Sequence, residues 1–504
     1  MTQQLASNAT TFRLLEATIA EIQAAYQAGT LSARELTQLY LDRIEALDRG
    51  GPKINSIITV APDALREADR LDAALKASGS VGPLHGIPIV LKDQMDALGT
   101  PTTLGSVLFK DYYPTRDSYV VEKLKQAGAI ILAKATLGEL GGGDTHGSLF
   151  GSTRNPYDPE RTVGGSSGGP GAAVSANFGA VGVGQEGFAS IRRPSAWNGI
   201  VGMRPTAGLV SRGGVYAGWP GTNGSLGPMA RTVGDVVRLL DVMVGYDPED
   251  PITACGMGNY PASFATALDA SGLKGARIGI LREAMGQQSE PDSADFATVT
   301  ATFDKAVAEL AAAGATVIDP IVIPDLMQLL AKRRGGDSDE AFRIYYTRGG
   351  NAPFKTREEM LAAPDYAKAI RSRAASIREG GIAEYYESLA ARETLMINML
   401  KVMADHNLDA IVHKTVEHQP TLISEGLNPP YYNSRGATHL NTYLVYVPSI
   451  SVPAGFTSDK LPVGITFLGR PYSDAAMIKL AYAYEQATKH RIAPGATPAL
   501  PGQP

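Results

Sequence analysis

The chain has 504 residues, of which 44% are hydrophobic and 19% are charged, and its formal net charge is −5. This apolar content excludes a disordered chain and is enough for a large core. The acidic balance, without any run of five basic residues, excludes a strongly basic surface for nucleic acid. We therefore expect no nucleic-acid partner.

Cysteine content and apolar runs restrict the class of protein further. The single cysteine, Cys255, excludes an intrachain disulfide and a cysteine-based zinc site. The N-terminus has no basic patch followed by a long apolar stretch, so we predict no signal peptide. No apolar run reaches the length of a membrane span. The expectation is a soluble, cytoplasmic α/β protein with a flexible N-terminus at 1–10.

Predicted helices and strands alternate along the chain. Helices at 18–28 and 32–48 come first, and Ser32 and Glu35 form a capping box at the start of the second. This alternation favours one α/β domain over 11–504 rather than separate domains. The later elements are a strand at 57–60, a charged helix to about 76, a strand at 87–91, a helix at 120–126, strands at 130–132 and 277–281, a helix at 294–313, strands at 409–412, 449–452 and 463–468, and a helix at 475–487.

The segment 164–227 is unusually rich in glycine, which supplies 18 of its 64 residues. Such a stretch inside a folded enzyme indicates backbone close to a ligand, because glycine tolerates positive φ and close approach. Gly182 to Gly187 matches G-x-G-x-x-G, but Pro194 follows soon and no acidic residue comes about 20 positions later, which disfavours a dinucleotide site.

A nucleophile elbow is an alternative interpretation of the same segment. Gly164 to Gly168 matches G-x-S-x-G, the elbow of α/β-hydrolase-type esterases. The elbow needs a strand before the serine, whereas the two prolines of 155–159 predict a turn. Histidines that could complete a Ser-His-Asp triad lie downstream of Ser166, so this alternative stays open.

A wider combination of motifs spans the chain. Lys92 ends an apolar strand, Ser166 follows 74 positions later in a Gly-Ser segment, and Ser190-Ile191-Arg192 follows 24 positions after that. With these motifs the chain resembles the amidase signature hydrolases. The resemblance implies a mixed central β-sheet flanked by helices on both sides. Further ordered matches lie at 82–88, 151–156, 202–206, 452–456 and 461–464.

The resemblance implies a Ser–Ser–Lys catalytic set. Ser190 would be the nucleophile, Ser166 the bridging serine in a cis peptide bond, and Lys92 the base. Independently of the family, a free hydroxyl is a poor nucleophile and needs a base. A lysine serves only when neutral, and burial lowers its ordinary pKa of about 10.4. The apolar run 87–91 before Lys92 predicts such burial.

The loop before the nucleophile departs from the family pattern. The family commonly has Asp-x-Gly-Gly-Ser, where this chain has Glu186-Gly187-Phe188-Ala189-Ser190. The resemblance implies an oxyanion hole of backbone N–H groups from Gly187, Phe188 and Ala189. These donors survive the departure because every non-proline residue keeps its N–H. Phe188 makes the pocket wall bulkier and more apolar, which affects substrate choice.

Neighbouring residues have supporting roles in this interpretation. Ser167 adjoins the bridging serine, and Arg192 and Arg193 are expected to brace the nucleophile loop. Asp93 is expected to accept hydrogen bonds behind the lysine. Glu139 is expected to be a solvated charge.

A variable substrate-region insertion is predicted around 330–440. Its tyrosines either line a substrate entrance or pack, and Trp219 is a candidate for the rim of the site. The tyrosines are Tyr345, Tyr346, Tyr366, Tyr385, Tyr386, Tyr431 and Tyr432.

The predicted function is hydrolysis of a small-molecule amide or carbamate (urethane) through an acyl-enzyme on Ser190, with no metal and no organic cofactor. The bulk of Phe188 and the length of 330–440 favour an aromatic or extended apolar substrate, as in the aryl-amide and urethanase branch of the family. We expect a monomer or a homodimer. One alternative is an amidotransferase A-type subunit that releases ammonia from glutamine; another is a binding protein that has lost the chemistry.

Overall fold

The computed structural model describes residues 12–216, 224–332, 345, 348–369, 382–438, 440 and 446–504, so the predicted flexible segment 1–10 lies outside it. The strands are β1 (Ile57–Val60), β2 (Pro88–Lys92), β3 (Ile130–Ala135), β4 (His146–Gly147), β5 (Gly151–Ser152), β6 (Val181–Glu186), β7 (Val201–Arg204), β8 (Ser225–Ala230), β9 (Arg277–Leu281), β10 (Thr316–Ile321), β11 (Ala410–Lys414), β12 (Ser449–Phe456) and β13 (Pro462–Leu468).

The helices match most of the predicted positions. They are α1 (Ile19–Gln27), α2 (Ala33–Arg43), α3 (Ala64–Ser78), α4 (Tyr119–Gln126), α5 (Gly168–Ser175), α6 (Arg192–Trp197), α7 (Val233–Met243), α8 (Ala294–Ala312), α9 (Leu326–Ala331), α10 (Arg357–Leu361), α11 (Ile382–Asp405), α12 (Ile423–Leu427) and α13 (Asp474–Thr488). The predicted helix at 32–48 is divided, since a π-helical segment, Ile44–Arg49, follows α2.

Local hydrogen bonds fix the start of α2 as the sequence predicts. The Glu35 N–H donates to Ser32 Oγ at 3.1 Å, and the Ser32 N–H donates to Glu35 Oε2 at 2.8 Å. This reciprocal pair satisfies two of the N–H groups that a helix start leaves without partners. The capping box is confirmed.

In the part of the chain that the structure describes, eleven strands form one mixed sheet in the order β1-β3-β2-β6-β8-β7-β12-β13-β11-β9-β10. β2 pairs in parallel with both β3 and β6, whereas β6 and β8 are antiparallel. Helices surround the sheet, so the predicted α/β fold with a large mixed sheet is confirmed. No helix of the described residues has the length and apolarity needed to cross a bilayer.

The central strands carry the core and place the candidate site. Every residue of β2, β3, β6 and β8 is buried. Burial on both faces explains the apolar runs 88–91 in β2 and 130–133 in β3, which do not alternate with polar residues. Leu91 of β2 lies opposite Val183 of β6 in a parallel register. The carboxyl ends of both strands therefore meet at one edge of the sheet, where ligands bind in many α/β proteins.

Candidate active site

Lys92 is the last residue of β2, and its side chain is fully buried. Its Nζ lies 2.7 Å from Ser166 Oγ and 3.2 Å from the carbonyl oxygen of Gln185. Burial lowers the pKa of Lys92 well below its ordinary value, and the negative charge of Glu186 opposes this only in part. Desolvation penalises the charged ammonium, so the site favours the neutral amine that a proton acceptor requires.

The segment that holds Ser166 and Ser167 lies against the carboxyl ends of β2 and β6. The peptide bond between Gly165 and Ser166 is cis, as the family resemblance implies for the bridging serine. The Ser167 hydroxyl donates to the Gln185 carbonyl at 3.1 Å, and the Ser167 N–H donates to the Ser190 carbonyl at 3.0 Å. The structure therefore brings the segments of Ser166 and Ser190 together beside Lys92. Of the two adjacent serines, Ser166 is the one whose Oγ lies within hydrogen-bond distance of the lysine.

A buried carboxylate organises the loop that carries Ser190. Glu186 Oε2 accepts the N–H groups of Ile191 and Arg192 at 2.8 and 2.9 Å, which caps the start of α6. Its Oε1 forms an ion pair with Arg192 Nε at 2.7 Å, and both side chains are fully buried. Arg192 Nη2 also donates to the Phe188 carbonyl at 2.9 Å. These contacts support the bracing role predicted for Arg192.

The short loop between β6 and α6 alternates in exposure. Gly187 and Ala189 are buried, whereas Phe188 and Ser190 are partly exposed. Phe188 and Ser190 are therefore both open to solvent in part. The backbone N–H groups of this loop precede the serine, and their function as oxyanion donors stays a prediction.

Arg193 donates hydrogen bonds to the backbone just before Ser166. Its Nη2 and Nε donate to the Gly165 carbonyl at 2.7 and 3.1 Å. The same guanidinium pairs with Asp144 at 3.0 Å, and each of the two side chains is only 2% exposed. Asp144, which the sequence analysis did not identify, therefore completes the support of the peptide bond before Ser166.

Two acidic residues near the site, Asp93 and Glu139, are both buried. Asp93 is fully buried, pairs with Lys134 at 3.0 Å and accepts the Thr103 N–H at 3.0 Å, and burial raises the pKa of Asp93. The expectation that Glu139 is solvated was wrong, because its residue is only 1% exposed. The Ser148 N–H, at 3.2 Å, and the Ser148 hydroxyl donate to Glu139, and these bonds compensate its loss of water.

The tyrosines predicted near the entrance differ in position. Tyr345 is buried, donates from its hydroxyl to Asp96 Oδ1 at 2.8 Å, and packs edge-on against Tyr216 with ring centroids 5.8 Å apart. Tyr386 is instead 64% exposed. Trp219 and Tyr346 lie outside the described residues. Tyr345 therefore connects the variable region to the core beside Lys92.

The dinucleotide motif at 182–187 and the esterase-elbow motif at 164–168 both lack the structural setting that they need. The stretch from Gly182 to Gly187 lies within β6 and its end, rather than in a turn between a strand and a helix. Ser166 follows an irregular segment at 163–165 rather than a strand, which disfavours the esterase elbow. Across the residues that the structure describes, no three His, Cys, Asp or Glu side chains cluster as a metal site.

Comparison with known proteins identifies the family. A sequence model of the Amidase family matches residues 35–478. The chain belongs to the amidase family. Such an amidase-signature enzyme is either a C–N hydrolase or an amidotransferase component.

Individual relatives resemble this amidase-family chain along nearly its whole length. The A subunit of the glutamyl-tRNA(Gln) amidotransferase of Symbiobacterium thermophilum is 34% identical over 493 residues, covering 94% of this chain and 97% of the relative. The native peptide amidase of Stenotrophomonas maltophilia superposes with a TM-score of 0.82 at 32% identity, covering 95% and 98%. The corresponding amidotransferase A subunit from Thermotoga maritima gives 0.71 at 28% identity, covering 94% and 95%.

Proposed function

We propose that this amidase-family chain hydrolyses the C–N bond of a carboxamide through an acyl-enzyme on Ser190. The observation that carries the proposal is the buried amine of Lys92, 2.7 Å from Ser166 Oγ, with a pKa lowered by desolvation. An uncharged lysine in contact with a hydroxyl is a base placed to activate it.

Proton transfer would run along three side chains. Lys92 accepts the hydroxyl proton of Ser166, Ser166 accepts that of Ser190, and Ser190 Oγ attacks the carbonyl carbon of the amide. The oxygen of the tetrahedral intermediate takes the negative charge, which the N–H groups of the loop 187–190 would stabilise. The contacts of Glu186 and Arg192 hold this loop before the substrate arrives, so little reorganisation is needed.

The second half of the reaction reverses the proton path. The ammonium of Lys92 returns its proton through Ser166 to the leaving nitrogen, the C–N bond breaks, and the amine departs. Water then attacks the ester on Ser190 and gives its proton to the same relay, which releases the acid. A carbamate would follow the same path through a carbonate ester on Ser190, and its cleavage stays a prediction.

The substrate is proposed to be a small molecule or short peptide amide with an apolar group near the scissile bond. Phe188 is a partly exposed aromatic residue two positions before Ser190, and an aromatic ring near the scissile bond would suit apolar groups. The TM-score of 0.82 with the peptide amidase, against 0.71 with the Thermotoga amidotransferase component, supports amide hydrolysis as the first candidate.

The second candidate is an amidotransferase A-type subunit that releases ammonia from glutamine. Its support is the similarity to glutamyl-tRNA(Gln) amidotransferase components, such as those of Symbiobacterium thermophilum and Thermosynechococcus vestitus, at 34% and 33% identity. These relatives favour this alternative over carbamate cleavage. A chain of this kind would need partner subunits for its full activity.

One assay separates the candidates. The purified chain alone is given an anilide, a peptide amide, an aryl carbamate and glutamine, and release of amine or ammonia is measured. Turnover of the amides without a partner supports the proposal. Hydrolysis of glutamine, with no turnover of the anilide, the peptide amide or the carbamate, supports the amidotransferase.

Covalent labelling tests the nucleophile. A fluorophosphonate should label the wild-type chain and the Ser195→Ala control, in which a buried serine of α6 is changed, but not Ser190→Ala. Labelling of Ser190→Ala at the wild-type rate would contradict an acyl-enzyme on this residue.

A further inference from the structure

A buried guanidinium ties the backbone before Ser166 to a second segment of the chain. Arg193 donates to the Gly165 carbonyl through Nε at 3.1 Å and through Nη2 at 2.7 Å. The same Nη2 lies 3.0 Å from Asp144 Oδ1 and donates to the Gly143 carbonyl at 3.2 Å. One side chain therefore bridges the two backbone segments.

These two segments are also packed directly against each other. The N–H and the hydroxyl of Thr145 donate to the Gly164 carbonyl at 3.0 and 2.7 Å. A Cβ at Gly165 would lie 2.3 Å from the Gly143 carbonyl oxygen, so only glycine fits at this close approach. A displacement of the second segment is therefore transmitted to the residue that precedes Ser166.

Asn433, from the end of the predicted variable region, holds that second segment. The Asp144 N–H donates to Asn433 Oδ1 at 2.7 Å, and the Ser434 N–H donates to Asp144 Oδ2 at 3.3 Å. A Cβ at Gly143 would lie 2.7 Å from Asn433 Nδ2, so the asparagine amide lies directly over this glycine. The contacts thus run from Asn433 to Asp144 and from Asp144 to Arg193.

Burial differs along this network. Asp144, Arg193 and Ser434 are buried, whereas Asn433 is exposed. Buried polar groups depend on their protein partners, because water cannot replace a lost hydrogen bond there. Asn433 is the member at the surface, so its replacement disturbs the network without leaving a cavity in the core.

We infer that Asn433 and Asp144 are positioning residues for the Ser166 hydroxyl and that they act through Arg193. This inference rests on the proposed function, because Ser166 is the bridge of the proposed relay. Ser166 Oγ lies 2.7 Å from Lys92 Nζ, and a proton is transferred only across such a short contact. A misplacement of about 1 Å can lower a rate on the order of 10²-fold, so we expect a smaller shift to cost about tenfold in kcat.

The first test compares Asn433→Ala with Asn428→Ala. Asn428 is also exposed and follows α12 directly, but its side chain donates to the Ser424 carbonyl at 2.8 Å, within its own helix end. The substrate is the amide that the wild-type chain cleaves fastest. Asn433→Ala should lower kcat about tenfold and change KM less than twofold, and Asn428→Ala should change both less than twofold. Thermal unfolding checks that each variant folds.

A second substrate separates positioning from a loss of folded protein. The nitrogen of an amide needs a proton from Ser166 to leave, whereas 4-nitrophenolate leaves an ester without one. With the 4-nitrophenyl ester of the same acid, Asn433→Ala should therefore lower kcat/KM by a smaller factor, about threefold, than with the amide. A smaller amount of folded protein would lower both by the same factor.

The double variant tests whether the two residues act through one guanidinium. Asp144→Asn removes the counter-charge of Arg193 and should lower kcat at least as much as Asn433→Ala. Because both changes act on Arg193, the double variant should lose less than the product of the two single losses. The comparison of Asn433→Ala with Asn428→Ala decides the question even if Asp144→Asn fails to fold.

The outcomes distinguish the positioning role from the proposed function. Turnover of Asn433→Ala equal to that of Asn428→Ala, equal losses with amide and ester, or multiplicative losses in the double variant would overturn the positioning role while the proposed function stands. Absence of turnover of every amide by the wild-type chain would overturn the proposed function and the positioning role with it.

Discussion

Replacing Glu186 by glutamine separates the electrostatic and structural effects of this buried carboxylate. Glu186→Gln keeps the size of the side chain but removes its negative charge. The carboxylate favours the protonated form of Lys92, so without it the pKa of Lys92 falls further. A lower pKa makes the neutral amine available at lower pH. We expect the acid limb of kcat/KM to move to lower pH in this variant.

The structural cost of the same substitution follows from the contacts of Glu186. The carboxylate accepts two N–H groups and one guanidinium N–H, all between 2.7 and 2.9 Å. A glutamine oxygen can keep the backbone bonds, but the buried Arg192 loses its counter-charge. Removal of one partner of a buried ion pair costs about 3–5 kcal/mol. We expect a loss of this size in the free energy of unfolding.

The assay is a pH–rate profile of kcat/KM for an anilide, together with urea unfolding of the same samples. Glu417→Gln is the matched control, since the Glu417 carboxylate is also buried and accepts the N–H groups of Met285 and Gly286 at 2.8 and 3.0 Å. Its substitution should destabilise the chain without moving the acid limb. An acid limb of Glu186→Gln that stays in place or moves to higher pH would refute the electrostatic argument.

Three further outcomes are expected. Ser166→Ala should lower kcat by on the order of 10³-fold or more, measured with an anilide, because relay members act as a unit; wild-type turnover would exclude Ser166 from the relay. Lys134→Met should lower the free energy of unfolding by about 3–5 kcal/mol, since it leaves Asp93 buried without its partner, and an unchanged urea midpoint would contradict that pairing. EDTA should leave turnover unchanged, because the proposed relay uses side chains alone; inactivation that added metal reverses would refute this.

Local sequence patterns were sufficient for the elements that carry the site. The apolar run before Lys92 predicted both a buried strand and a buried lysine, because a parallel strand covered on both faces is typically a nearly continuous apolar run whose neighbours are buried with it. The capping box of α2 was also predictable, since its two residues are three positions apart. The π-helical segment after α2 has no comparable local signal.

Long-range pairs explain most of what the sequence did not predict at the site. Asp144 and Arg193 are 49 positions apart, and Tyr345 and Asp96 are 249 apart, so no periodicity connects them. Glu139 was expected in water because an isolated carboxylate usually is. Its burial depends on Ser148, which only the folded loop places beside it.

The most direct test of the account is the pH dependence of kcat/KM in the wild-type chain and in Lys92→Met. The account predicts that activity of the wild type rises with pH through an ionisation well below 10.5, as the buried amine loses its proton, and that Lys92→Met has residual activity without this limb. A wild-type rate that falls steadily from about pH 6 to 9, or a Lys92→Met variant with the wild-type profile, would contradict Lys92 as the base.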